Sequence, residues 1–569
     1  MKRLVLVAVI AILLAGGVLF ALRRAAGPVS QGTVAALLPS EAIAVAQVPD
    51  LNRTRDQWHE SDIYKLYCEP AVQDFLRKPL TQIPDRDANS QTLRDFERLQ
   101  IKDGFAALIS IENDNPVFLA GFRFRGSQAD ADNAINKRRE QIAGHLTNPR
   151  TEDYQQHKIE ITGQGASLVA TVYDNDWFFV SNDVDQLKGL LDRADGRSKN
   201  QRGTLEQDAH FRAATAHLPG NCAAWFYLQP RSFGDKLASL RSQVAPSAGS
   251  NQRTMLEQIG SICGAVRFDG GKIRDIWFVE MPKQEENAKL ARSAAELGTS
   301  DTVLYLATLL NLEKLAGLNQ PGSTAPVAAW LQKVFDVASR NGISIDDWKA
   351  AFDLELGSLA DWPATAHWPS LIASLPVRDP VRANKIVNAL TSAIDEDGSW
   401  TKTDKGGIHF FVLHTPASLL AFAPTIALSD KLLVAGADSA SAEAAITRNG
   451  SGLMRTGTYK TAARTLPEPT NFFAYVDLPL LYLRLDASLR PMLLMAAAFM
   501  PAISEHVDLG KLPPAEVVTR HLSPIVSSQR YEGDGYIAES VGSITLIQFG
   551  CTVALPAILW WNGQHHQSH

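Results

Sequence analysis

The segment LPGNCAAWFYL, Leu218 to Leu228, returns as LPEPTNFFAYV at Leu466 to Val476, and self-similarity of this kind limits the chain to architectures that can be built twice. The flanks recur in the same order. LPSEAIAVAQVPDL (Leu38 to Leu51) has a loose counterpart in LGTSDTVLYLATLLNL (Leu297 to Leu312), each a polar turn that launches an alternating apolar run. NDWFFVSND (Asn175 to Asp183) matches SDKLLVAGA (Ser429 to Ala437), and RFDGGKI (Arg267 to Ile273) matches RYEGDGYI (Arg530 to Ile537). Four matches in one order predict a duplicated module.

Size gives the same count. A chain of 569 residues exceeds what one hydrophobic core supports, so two domains are expected. The matches set the limits: an anchor and spacer at 1–32, a first repeat at 33–283, a helical connector at 284–296, a second repeat at 297–548, and an apolar segment with a polar tail at 549–569. The formal net charge of −6 and the lack of a long basic run argue against a nucleic-acid surface.

Leu4 to Leu22 carries no charge over nineteen residues, enough at about 1.5 Å per residue to cross roughly 30 Å of hydrocarbon. Lys2 and Arg3 precede it and Arg23 and Arg24 follow, so local charge barely chooses an orientation; the large following region favours N-terminus in and C-terminus out. The rival reading is a cleaved signal peptide, with Leu4 to Leu14 as the apolar core and Ala15, Gly16 and Gly17 near the cleavage point. Apolar residues continue through Val18, Leu19 and Phe20, which favours an uncleaved anchor. Either way the bulk of the chain is expected outside the cytoplasm.

Within the first repeat, Glu41 to Val48, Phe105 to Ile111, Val117 to Phe124, Lys158 to Thr162, Ala166 to Tyr173 and Trp177 to Ser181 alternate as half-buried strands do. Asp174, Asn175 and Asp176 make a tight turn between the last two. Trp58 to Leu80, interrupted near Pro70, and Val184 to Asp195 have helical spacing. In the second repeat Ser344 and Asp347 have the spacing of a capping box, and Asp379-Pro380 places a cap and a first-turn proline ahead of a helix to Ile394. Strands joined by short turns must be antiparallel, and helices need a sheet face on which to bury their apolar stripes. The expected fold class is therefore α+β: two tandem related modules, each an antiparallel sheet with helices on one face, behind an N-terminal transmembrane helix.

Signatures of chemistry are missing. G-x-S-x-G, H-E-x-x-H and G-x-x-x-x-G-K-[ST] do not occur, and Gly270, Gly271 and Lys272 read as a turn rather than a phosphate loop. Cys68, Cys222, Cys263 and Cys551 have no zinc spacing; Cys222 and Cys263 fall in predicted strands, where two free buried thiols are favoured over a disulfide. His409 and His414 flank a strand at an odd separation that sends them to opposite faces, and Asp395, Glu396 and Asp397 lack the alternation of a calcium loop. His565, His566 and His569 form a metal-prone tail without implied function. No catalytic residue, metal or cofactor is expected.

Two apolar stretches remain. Pro491 to Ile503, with Met492, Met495, Phe499 and Met500, reads first as a buried helix and second as the wall of a lipid-accepting cleft or a membrane-touching surface. Ile544 to Trp561 is free of charge and ends in Trp560 and Trp561, residues that favour membrane interfaces. Its start aligns with Ile276 to Val279, so a strand followed by an apolar tail is expected, with a second membrane span as the alternative.

The segments LPSEAIAVAQVPDLNRTRDQW, SDIYKLYCEPAVQDFL and GISIDDWKAAFDLELGSL together resemble a family of bacterial membrane-anchored proteins of unknown function. The resemblance implies an N-terminal anchor and long extracytoplasmic α+β regions, and lends no catalytic residues. The functional expectation is a single-pass inner-membrane protein with its bulk in the periplasm, a non-enzymatic binding or structural component of the envelope. Its expected partners are the membrane and an envelope protein or lipid. A carrier of an apolar ligand around Met492 to Met500, and an enzyme whose site assembles only in the fold, are the alternatives.

Overall fold

Asp174 and Trp177 face each other across a two-residue turn in which Asn175 adopts φ 55°, and turns this short make neighbouring strands antiparallel. The computed structural model describes residues 33–82, 100–112, 115–127, 129, 131–133, 150–165, 168–197, 203–230, 258–283, 289–312, 336–394, 400–414, 423–448, 452–499 and 505–550. The chain divides after Met281 into two compact units, with Glu69–Phe75 belonging to the second. Both are mixed helix and antiparallel sheet, as an α+β class requires.

The first unit contains β1 Ala44–Val48, β2 Asp103–Glu112, β3 Asn115–Arg123, β4 Arg150–Tyr154, β5 His157–Thr162, β6 Val169–Asp174, β7 Trp177–Ser181, β8 Ala224–Leu228, β9 Ile262–Asp269 and β10 Lys272–Glu280. They hydrogen-bond in the order β4-β5-β6-β7-β3-β2-β1-β8-β9-β10. The second contains β11 Thr302–Leu309, β12 Glu355–Asp361, β13 Ser370–Pro376, β14 Trp400–Lys405, β15 Ile408–Leu413, β16 Thr425–Leu428, β17 Leu432–Gly436, β18 Phe472–Val476, β19 Ile525–Glu532 and β20 Gly535–Gly542. Their order is β14-β15-β16-β17-β13-β12-β11-β18-β19-β20, the same path through the same connections.

Register agrees as well as order. Tyr227 of β8 lies between Val45 and Cys263, and Tyr475 of β18 lies between Tyr305 and Val526. Asp183 caps the helix Val184–Ala194 after β7, and Asp438 caps Ser439–Ile446 after β17. Arg193 at the end of the first helix donates to the Leu37 carbonyl at 2.7 Å, and Arg448, just past the second, donates to that of Leu297. These partners correct one alignment by a residue. Ser429 N–H bonds the Leu432 carbonyl, so Leu432 takes the place of Trp177, and Lys431 that of Asp176. A slip of one would have put each side chain of β17 on the wrong face.

Helices cover both faces of the sheet, not one. In the second unit Tyr305, Leu359, Ile372, Val434 and Phe473 meet Ala442, Ala445, Tyr459 and Ala462 from the helices Ser439–Ile446 and Gly457–Ala463. On the other face, Phe411 and Leu428 pack on Ala383, Ile386 and Val387 of Pro380–Ile394, and Val303 and Ala360 pack with Leu480 and Leu481 of Leu478–Phe499. The first unit does likewise: Phe211 stacks edge-on against Tyr227, and Trp58 against Phe268 on the opposite side. Both faces of these strands are apolar, so a period-two pattern with one polar face does not describe them.

Three further expectations change. The helix expected over Trp58 to Leu80 with a break near Pro70 does restart at Pro70, but it begins earlier and breaks once more: Leu51–Glu60, Asp62–Tyr67 and Pro70–Thr81 are separate, and Ser61 starts the second by accepting the Tyr64 N–H at 3.2 Å. The proposed helical connector ends in a 3-10 turn, Ser293–Leu297, whose Ala294, Ala295 and Leu297 are part of the second unit's core; residues 284–288 lie outside the described residues. The strand expected from Ile544 ends earlier, at Gly542, because the Ser543 hydroxyl is tied to the Ser523 amide at 2.6 Å and the His521 carbonyl at 3.1 Å. Residues 546–550 then form a helical turn, and Ile544, Leu546 and Phe549 pack on Val476, Leu478 and Ile525. Gly270 and Gly271, with φ 59° and 84°, form a two-residue turn between Asp269 and Lys272.

Cys222 and Cys263 are both free and buried, whereas Cys68 is free and exposed. Cys222 precedes β8 rather than lying in it, while Cys263 sits opposite Tyr227 and donates to the Ala214 carbonyl at 3.1 Å. Burial pushes the Cys263 thiol up to about 12 and raises that of Cys222. Since the unfolded value is about 8.5, the stability that Cys263 contributes is whole below that pH and is lost as pH rises toward 12. Native protein alkylated at pH 8 should therefore carry label on Cys68 and not on Cys222 or Cys263, as read by peptide mass spectrometry. Native labelling of Cys263 would contradict its burial.

Candidate functional site

Asp477 closes β18 and opens the helix Leu478–Phe499: one carboxylate oxygen accepts the Leu480 N–H at 3.1 Å, and the other accepts the Tyr475 hydroxyl at 3.0 Å. The first turns bind the sheet. Leu480, Leu481 and Leu485 pack against Val303, Ala360 and Trp362. Arg484 donates to the Trp362 carbonyl at 2.7 Å and to Asp301 at 2.9 Å, and the Ser488 hydroxyl donates to the His367 carbonyl at 3.1 Å. Arg490 grips Asp486 one turn back at 2.6 Å and donates to the Leu512 and Pro513 carbonyls at 3.1 and 2.6 Å. The Asp486 bond raises the Arg490 guanidinium above its ordinary value, against the opposing effect of burial.

Past Arg490, Met492 to Met495 and Phe499 are apolar and uncovered. Met492 is 47% exposed, Met495 58% and Phe499 80%, and Leu493 and Leu494 are exposed beside them. The expectation of a buried helix fails here because the helix starts at Leu478, not at Pro491. Its early turns pack on the sheet, whereas Met492 to Met495 and Phe499 of the later ones are exposed. Pro491 lacks the N–H that would bond the carbonyl four residues back, yet the helix continues through it.

Leu481, Leu485, Ser488, Met492, Met495 and Phe499 succeed one another at spacings of four and three, so they line one face of the helix. That face is half-buried against the sheet at Leu481 and Leu485, hydrogen-bonded to His367 at Ser488, and open at Met492, Met495 and Phe499. Trp368, next to His367, and Leu371 on β13 are also exposed apolar residues of this unit. Neither was marked by the sequence, where each sits in an ordinary loop-to-strand setting. Of the expected contact residues, Met492, Met495 and Phe499 come together on this stripe; Met500, Trp560 and Trp561 lie outside the described residues.

Two polar groupings among the described residues have partners of their own. His157, Asp174 and Asp195 offer ligand atoms within 4.8 Å of one another, a grouping without any sequence motif. His157 bonds Asp195 at 2.9 Å, and the Arg197 guanidinium reaches both Asp195 and Asp192. Burial pushes Asp174 up; Asp195 is also pushed up by burial but ends lower because His157 and Arg197 outweigh it. A cation there would have to displace Arg197. His409 bonds Asp404 at 2.5 Å and His414 bonds Thr401 at 2.6 Å, so the two histidines have separate partners, and Asp395 to Asp397 lie outside the described residues.

No protein-family model matches the chain, and no curated protein matches it in sequence. Among solved structures it is similar to crystal form III of TP0453, at 9% identity and a TM-score of 0.26, over 45% of this chain and 83% of that one. Crystal form I of TP0453 gives 9% identity and a TM-score of 0.25 over 45% and 82%.

Among the described residues no helix is long and apolar enough to cross a membrane; Leu4 to Leu22 lies outside them.

Proposed function

We propose that this chain is a membrane-tethered, extracytoplasmic and non-enzymatic binding or structural protein of the bacterial envelope, made of two copies of one α+β module. The tether is the uncharged stretch Leu4 to Leu22, and the resemblance to membrane-anchored bacterial proteins belongs to the same reading. Support for two copies comes from the matching strand orders and from the shared register around Tyr227 and Tyr475.

The observation that carries a binding role is the uncovered stripe of Met492, Met495 and Phe499, a contiguous apolar surface of the kind that marks an interaction site. A carrier that encloses its ligand would need these side chains to wall a cavity. Their exposure suits contact at a surface instead.

The reading is tested by fractionating cells that express the full chain. The protein should stay with the inner membrane after an alkaline carbonate wash and should be digested when protease is added to spheroplasts. Removing residues 4–22 should release it from that fraction. Full-length protein recovered in the cytosol, or protected from external protease, would overturn the proposal.

A further inference from the structure

We infer that the 491–499 end of the helix dips into the phospholipid leaflet facing the folded region, as a monotopic contact separate from the tether; this rests on the tethered reading proposed above.

The argument begins with directions. Successive residues of a helix point about 100° apart, so Met492, Leu493, Leu494 and Met495 face all sides of it, and all four are exposed. A groove on a partner protein takes up one apolar face of a helix and leaves the other in water. Acyl chains surround what enters them, and a helix that is apolar all round needs that kind of solvent.

Charge sets the depth. From Pro491 to Ser504 the sequence has no charged residue, whereas Arg484, Asp486 and Arg490 lie just before this run and Glu505 just after it. Arg490 is fixed to Asp486 and to two backbone carbonyls, so the boundary between charged and apolar turns is held in place. Exposed Trp368, following the His367 carbonyl that Ser488 binds, supplies an aromatic of the type found at headgroup level. Nine residues at about 1.5 Å each extend roughly 13 Å, which reaches into one leaflet and cannot cross the bilayer. A tether of nineteen apolar residues would keep such a leaflet within reach.

The test uses the full chain with Cys68→Ser and Cys551→Ser, labelled at Phe499→Cys or, as a control on the exposed strand β14, at Thr403→Cys with a polarity-sensitive dye. The protein is reconstituted in phosphatidylcholine–phosphatidylglycerol vesicles with and without brominated acyl chains. The expected result is a blue-shifted emission at position 499 that brominated lipid quenches, with neither effect at position 403. Adding Met495→Glu should remove most of that quenching while the protein still floats with the vesicles. Dye at 499 that remains as wet as dye at 403 in floating vesicles would overturn the inference and leave the tether standing. Burial at 499 that grows with protein density and ignores brominated lipid would assign the surface to a second copy instead. Protein that does not float would overturn the tether, and the inference with it.

Discussion

Glu355→Ala should destabilise the second unit by about 4 kcal/mol, the sum expected when a buried carboxylate is taken from several backbone donors at about 1–3 kcal/mol each. Glu355 opens β12 and is 3% exposed. Its two oxygens accept the N–H groups of Ala291, Arg292 and Ser293 at 2.5, 2.9 and 2.6 Å, and the Ser293 hydroxyl at 2.9 Å. Those amides lead into the 3-10 turn Ser293–Leu297, where no intrahelical acceptor exists for them, so the carboxylate is what satisfies that end. The turn in turn delivers Ala294, Ala295 and Leu297 to the core. Two residues along the same face, a Cβ on Gly357 would stand 2.0 Å from that of Ala294, which shows how closely the turn is seated.

Glu355→Gln keeps one acceptor oxygen and should lose about half as much, roughly 2 kcal/mol. Hydrogen exchange of peptides spanning 289–297, followed through a urea series, reads the effect locally. An alanine variant with unchanged protection there, or a loss below about 1 kcal/mol, would show that water replaces the carboxylate readily.

What the sequence made legible depended on local chemistry acting alone. The turn at Asn175-Asp176, the capping box of Ser344 with Asp347, and the Asp379-Pro380 start of a helix each follow from a few adjacent residues, and each is present. Strands β4 and β14, at one end of each sheet, are not legible in the sequence because they carry RTEDY and WTKTDK. Edge strands protected by charge have no apolar alternation to detect.

Pro491 resembles a start signal, so the sequence alone places the start of the helix Leu478–Phe499 too late; only the anchored turns before it show that Pro491 is an interior residue. Exposure of Met492, Met495 and Phe499 was not readable from spacing. Apolar residues on every side of a helix look the same whether a core or nothing surrounds them. Trp368 and Leu371 carry no pattern at all, and both are exposed.

Phe211→Ala and Tyr459→Ala should each destabilise its own unit by about 3–5 kcal/mol, the range for deleting a buried aromatic. Asp208 caps the helix Ala209–Thr215 by accepting the Phe211 N–H at 2.8 Å, and Thr456 caps Gly457–Ala463 by accepting that of Tyr459 at 3.3 Å. A 3-10 turn leads into each cap, with Leu205 and Leu453 buried at its start. The Phe211 ring then meets Tyr227 edge-on at 5.0 Å and Trp225 at 5.9 Å, and the Tyr459 ring meets Tyr475 edge-on at 5.2 Å and Phe473 at 6.0 Å. Each substitution empties the same kind of space beneath the same strand, and edge-on aromatic pairs add about 0.5–1.5 kcal/mol beyond the area they bury. If the units are copies of one module, the two losses should agree within about 1 kcal/mol, a difference small enough for local packing to produce. Hydrogen exchange of peptides 203–228 and 452–476 reads the two separately in one molecule. A loss below about 1 kcal/mol at one site, beside several at the other, would mean that the shared strand order is not matched by a shared core.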